Sequence, residues 1–429
     1  MTRRDAGLLL TVLLTLPPVA RAQSGTAWAP AAAPQHGVAL RAAGWQLMIH
    51  GNVFGQFIRE AGPRGNWQLG SVNWLMARAD HALAGGTFGL RAMVSGEFLT
   101  ITRAGYPELL QVAQPYRGNT LTDRMHPHEL FSEAAVSYEH GIVAPLSMSL
   151  YLAAAGEPAL GPVAYLHRPS AEYDPIAPLT HHALDETHER FGVATVGVFT
   201  SRVRLEASAF NGAHPDDVHT NFELAGARLN SFSSRIALAP APEWSASASA
   251  AYIAASARAA DHAHGALHRF ILSIGNVQSR GERLWASTLV WGADAPIGTG
   301  RVLHSVLLES SLEWNARRAL FSRIEYASRT AEDLNLVGSV SEQLAVGAAV
   351  VGYARRMTAW RAITVWLGGR GTAYLLPAEL RVFYGARTLT GFAAYVELRP
   401  PLMHEHAVVS DDAPHVHHEA HPSHGGNVP

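Results

Sequence analysis

The sequence predicts an all-β fold: a transmembrane antiparallel up-and-down β-barrel of about sixteen strands. Two observations carry this reading. Apolar and polar residues alternate with period two in segment after segment, as they do on the opposite faces of a strand. The connections between segments also alternate in length. Tight ones fall near 80–85, 140–145, 200–203, 239–244, 278–282, 314–319 and 355–360, while those between them, notably 99–129 and 157–190, are long and polar. Short turns on one side and long loops on the other are the rhythm of a barrel that crosses a bilayer.

The chain opens with Arg3 and Arg4, an apolar run from Ala6 to Leu16, and Ala20-Arg21-Ala22 before Gln23. This is the pattern of a secretory signal peptide over residues 1–22. Its apolar run is too short to cross about 30 Å of hydrocarbon as a helix. No later stretch approaches about eighteen uninterrupted apolar residues, which argues against a helical membrane protein. Residues 23–43 read as an Ala/Pro-rich leader too short to form a plug, 44–400 as the barrel, and 401–429 as a His-rich tail. The tail has too few apolar residues to fold alone and reads as disordered.

Composition removes several classes of function. The 429 residues include no cysteine, so disulfides, thiolate metal sites and cysteine nucleophiles are excluded. A net charge of −2 argues against a nucleic-acid partner. No Gly-x-Ser-x-Gly elbow or comparable signature supports a hydrolase, and the expectation is that the protein is not an enzyme.

The strands can be followed in order. Trp45, Leu47, Ile49, Val53 and Phe57 alternate with Gln46, His50, Asn52 and Gln56. Phe88, Leu90, Ala92, Val94 and Phe98 alternate with Arg91, Met93, Ser95 and Glu97. Val203, Leu205, Ala207 and Ala209 alternate with Arg204, Glu206 and Ser208. Val306, Leu308 and Leu312 oppose Glu309 and Glu313, and Ile324 and Tyr326 oppose Arg323 and Glu325. Phe392, Ala394, Val396 and Leu398 oppose Tyr395, Glu397 and Arg399. Segments 222–238 and 343–354 are more blurred. Aromatic residues at strand ends, including Trp67, Trp244, Tyr252, Trp314, Trp360 and Phe392, match the girdles of a membrane barrel. In a barrel the apolar faces meet lipid and the charged faces line the lumen. The lumenal set is then Arg91, Glu97, Arg204, Glu206, Glu309, Glu313, Arg323 and Glu325. Its mixed sign argues against strong ion selectivity and also suits cross-strand ion pairs that stiffen the wall.

Up to about residue 400 the mature chain resembles the porin-type outer-membrane β-barrel proteins of Gram-negative bacteria. The resemblance is architectural and fixes no subfamily. It implies an outer-membrane location, with the first strand starting and the last ending on the periplasmic side, where the tail would lie. One departure is that the last strand ends near Leu398-Arg399 and a tail follows, whereas such barrels commonly end in an aromatic residue. The implied function is passage of small solutes through the lumen, with outer-membrane lipid as the surrounding partner and no cofactor required. The competing expectation is a closed structural or binding barrel whose long His-rich loops fill the lumen and engage metal or an external partner.

Histidine is the unusual residue, with 23 in the chain. Neutral imidazole is a good ligand for Zn, Cu(II) or Ni. Asp123-Arg124-Met125-His126-Pro127-His128-Glu129 presents two imidazoles and two carboxylates. His181-His182-Ala183-Leu184-Asp185-Glu186-Thr187-His188 presents three and two. His214-Pro215-Asp216-Asp217-Val218-His219 is a third group. The tail adds His404, His406, His415, His417, His418, His421 and His424, which nothing preorganises, so weak binding is expected there. No group matches a signature such as His-Glu-x-x-His, and polar loops that simply bond one another are the plainer reading. With only 8 Met and no Met repeat, Zn, Ni and Cu(II) are favoured over Cu(I).

Overall fold

The computed structural model describes residues 20–22, 24–224, 228–255, 265–337, 342–360 and 363–403. Sixteen long antiparallel strands, each bonded to the next in sequence, close into one barrel. They are β1 (Trp45–Glu60), β2 (Trp67–Leu83), β3 (Gly86–Val94), β4 (Phe131–Val143), β5 (Leu146–Gly156), β6 (Arg190–Phe199), β7 (Val203–Phe210) and β8 (Ser231–Leu238), then β9 (Trp244–Ile253), β10 (Leu267–Arg280), β11 (Arg283–Pro296), β12 (Leu303–Trp314), β13 (Arg318–Arg329), β14 (Leu344–Trp360), β15 (Ile363–Leu375) and β16 (Thr388–Arg399). The blurred segments resolve into β8 and β14. The turn expected at 355–360 lies further on, because β14 continues to Trp360.

Closure is made by pairing β16 with the far half of β1, from Gly391 opposite Glu60 to Leu398 opposite Val53. The near half of β1 pairs instead with a short strand, Val38–Ala42. The barrel sheet therefore begins at Val38 rather than at residue 44. Ala43-Gly44 and Ala84-Gly85 make the short turns into β1 and β3 with φ of 50°, 81°, 48° and 79°. Positive φ at both central residues matches the right-handed twist of the flanking strands.

The alternation reads out directly as two faces. On β7, Arg204, Glu206 and Ser208 are buried while Val203 and Leu205 are exposed. The same division continues round the barrel, leaving Leu69, Val196, Phe232, Phe270, Leu272, Leu289, Ile324, Val351, Leu367 and Phe392 on the outside. In water this continuous apolar belt would cost about 25 cal/mol for each Å² exposed, and in hydrocarbon that cost vanishes. Trp67, Tyr252 and Phe392 stand towards the long-loop end of the belt, and Trp244, Trp314 and Trp360 towards the short-turn end. Among the described residues no helix is long and apolar enough to cross a membrane.

The interior is not an empty lumen. The loops 95–130 and 157–189 fold into it, and most of their residues are buried. Their apolar side chains join the wall: Ile101, Tyr106 and Tyr165 pack with Phe54, Phe321 and Tyr395, Leu109, Leu110 and Leu179 with Leu344 and Tyr374, and Leu160 and Leu184 with Phe210, Ile271 and Val290. Small hairpins, such as Gln114–Tyr116 with Asn119–Leu121, satisfy part of the loop backbone. The leader also enters from the short-turn end: Thr26, Ala27 and Ala29 are buried, and Thr26 accepts a bond from Arg235 of β8. From sequence it is only a leader too short for a plug, with no position implied. Together with the two loops, it narrows the bore.

Candidate functional site

Ionic contacts hold the inward loops to the wall. Arg168 donates from Nε to Glu309 Oε1 at 2.5 Å and from Nη1 to Asp185 Oδ2 at 2.8 Å, all three side chains being almost fully buried. Asp174 accepts from Arg370 at 2.7 Å and lies 3.3 Å from Arg323. Glu325 accepts from both the amide and the hydroxyl of Thr180, each at 2.9 Å. Tyr173 donates its hydroxyl to Glu313. On the other side of the barrel Glu206 pairs with Arg204 and Arg235, both at 2.8 Å. Arg91 bonds the carbonyl of Gly25 and sits 3.6 Å from Glu133. The wall charges are thus spent on the loops, the leader and one another, not left bare to water.

At the long-loop end the two loops, with neighbouring strand ends, line a chamber of about 140 Å³ that opens outwards. Its lining includes His126, His128, His181, His182, His188, His214 and His219, with Glu186 and Glu189. A common feature of five of these rings is that Nδ1 donates to an oxygen: His126 to Pro127 O, His128 to Glu97 Oε1, His181 to Asp185 Oδ1, His182 to Gln111 Oε1 and His188 to Asp185 O, at 2.6–3.2 Å. Such bonds fix ring orientation; Nε2 of His182 and of His188 is left without a partner, while Nε2 of His128 lies 3.5 Å from the Tyr165 hydroxyl. The rings are also close, with centroids 5.5 Å apart for His128 and His188 and 5.0 Å for His126 and His219.

Electrostatics divides the rings. Burial, opposed by Glu189, brings His188 down to about 4. Burial likewise holds His126 and His182 well below the ordinary imidazole range, with help from neighbouring histidines. His128 goes the other way: burial lowers it, but the carboxylates of Glu97 and Glu189 outweigh burial and lift it to about 9. At neutral pH His128 therefore holds a proton between two carboxylates, while His126, His182 and His188 stay neutral.

Among solved structures, the anion-selective porin from Comamonas acidovorans aligns with 83% of this chain and 99% of its own, at 12% identity and a TM-score of 0.50. OmpF of Salmonella typhi, solved in complex with daunomycin, aligns over 83% and 98% at 10% identity and 0.51. The fold is that of a porin-type outer-membrane barrel. No family model and no curated protein matches the chain.

Within this porin-type barrel the sequence candidates separate. His126, His128, His181, His182 and His188 come together in the chamber. Asp185 does not offer a free carboxylate there, since Arg168, His181 and the amide of Tyr165 engage it. His404, His406, His415, His417, His418, His421 and His424 lie outside the described residues. His268 and His304 are on the outer face of their strands. Arg204, Glu206, Glu309, Arg323 and Glu325 are buried wall residues, while Arg91 and Glu313 are partly buried on β3 and β12. Glu97 was misplaced: β3 ends at Val94, and Glu97 starts a short 3-10 turn inside the barrel. Glu189, one position beyond the second motif, was missed, although His188-Glu189 adjacency was visible.

Proposed function

We propose that this chain is an outer-membrane channel of narrow bore for small polar solutes, entered through the histidine-lined chamber. The observation that supports it is a closed cylinder of sixteen strands with a lipid-compatible outside and a polar inner wall. The wall's mixed charges, already paired, favour weak selectivity between anions and cations. Planar-bilayer recording of the purified, folded protein tests this. Discrete conductance steps smaller than those of an open barrel of equal strand number are expected. A folded barrel that never conducts refutes the proposal.

A second reading has its own support. Burial is almost continuous along 157–190, and the wall's ionic groups hold that loop in place. On this reading the protein is a closed barrel whose chamber binds a ligand without passing it. It predicts silent bilayers together with ligand retention by the folded protein.

A further inference from the structure

We infer that His128, His188 and Glu189 form a binding site for one divalent transition-metal ion in the lining of the chamber. The inference deepens the channel proposal by naming a ligand class for the chamber. It needs only the folded barrel, not conduction.

One ligand atom from each of the three residues lies within 4.8 Å of the other two, and all three residues are buried. Ligands about 2.0–2.2 Å from a tetrahedral Zn(II) are about 3.3 Å apart, so binding requires a contraction of at most about 1.5 Å. Loop side chains seated in a cavity can supply it. Each donor is aimed by a second contact. Glu97 holds Nδ1 of His128 at 2.8 Å, and the Asp185 carbonyl holds Nδ1 of His188 at 2.7 Å. The amide of Glu129 holds Oε2 of Glu189 at 3.3 Å. These are the outer contacts that orient metal ligands and set the imidazole tautomer.

Two atoms of the trio are also left without a hydrogen-bond partner. Nε2 of His188 and Oε1 of Glu189 are buried with no hydrogen-bond partner, although their residues are only 8% and 6% exposed. Burying such atoms unpaired is unfavourable, and a cation satisfies both together. Two carboxylates, Glu189 directly and Glu97 behind His128, balance a charge of two. Two nitrogens and one oxygen suit Zn(II), Cu(II), Ni(II) or Co(II) and do not suit Cu(I), which prefers sulfur. The chamber leaves the remaining coordination position open to water or an incoming ligand.

The test uses the full-length protein, folded in detergent, stripped with chelator, loaded with Zn(II) or Co(II) and passed through gel filtration. Retained metal is counted by emission spectrometry, and the visible spectrum of Co(II) reports its ligands. One retained ion per chain is expected. His188→Gln and Glu189→Gln should each weaken binding at least tenfold, and Glu97→Gln should weaken it about 10–100-fold. His304→Gln, on the lipid face, should change nothing. No retained ion, or equal retention in His188→Gln and Glu189→Gln, overturns the site and assigns any signal to the tail, which every variant keeps. Should a variant fail to fold, Cu(II) paramagnetic resonance on the unaltered chain decides. Coupling to two imidazole nitrogens supports the site, and coupling to three or more refutes it. A barrel that retains one ion but never conducts overturns the channel and not the site; conduction without retention does the reverse.

Discussion

Glu108 and Glu157 are carried into the barrel by the inward loops, and burial pushes each from 4.5 up to about 8. Arg370 and the side-chain amide of Gln111 offset part of that rise for Glu108, as Arg235 and Ser24 do for Glu157. Below 4.5 the carboxyl is neutral whether its loop is seated or released, so it contributes no pH dependence. Between 4.5 and about 8 a released loop has lost a proton that the seated loop still holds, so seating weakens steadily as pH rises. Above about 8 the penalty is complete. Below about pH 6.5 the buried neutral His126, His182 and His188 oppose this trend, so conductance should grow between about pH 6.5 and about pH 9, and Glu108→Gln with Glu157→Gln should reduce that rise. A native protein whose conductance is flat or falls over that range contradicts this account.

The loops as elements are held by few but deeply buried contacts. Arg168 bridges Asp185 of its own loop and Glu309 of β12. Removing one partner of a buried ion pair typically costs about 3–5 kcal/mol, because the other charge is stranded. Arg168→Ala should release the loop 157–189, raising conductance and opening the loop to protease while the barrel remains heat-modifiable. Unchanged conductance and protection would show that apolar packing alone seats the loop. Such anchoring was only partly legible in the sequence. Strand faces were, because every second residue of β7 or β13 must satisfy one solvent. Loop placement has no such period. Its signal was composition: Leu109, Leu110, Leu160, Tyr165, Leu179 and Leu184 are too apolar for a loop standing in water, and all six are buried. Glu97 was misread because the alternation of β3 runs on through Ser95-Gly96-Glu97-Phe98, past the point where Gly96 turns the chain. The chamber histidines could be listed from the motifs, but their grouping depends on two loops meeting in space, which spacing along one chain does not encode.

At the scale of the whole molecule the outer belt makes a direct prediction. Leu272 is half exposed near the middle of β10. In a bilayer Leu272→Arg should lower folding stability by about 2–4 kcal/mol, the cost of a charge at the midplane of a barrel's lipid face. Equilibrium urea unfolding in vesicles measures it, and a change below about 1 kcal/mol would place that position near an interface instead. The seam of the barrel carries a different consequence. The amide of Gly37 donates to Pro401 O and that of Met403 to Gln35 O, at 3.1 and 2.8 Å. From inside, Glu172 of the loop 157–189 reaches His36 at 2.7 Å and Arg399 at 2.6 Å. One carboxylate thus ties the start of the sheet, its end and the internal loop into a single knot of contacts. The segments that make this knot are the first and last of the barrel to leave the ribosome. The loop's contact with Arg399 cannot form before the final strand is in place, so this last tether of the filling waits on closure of the wall.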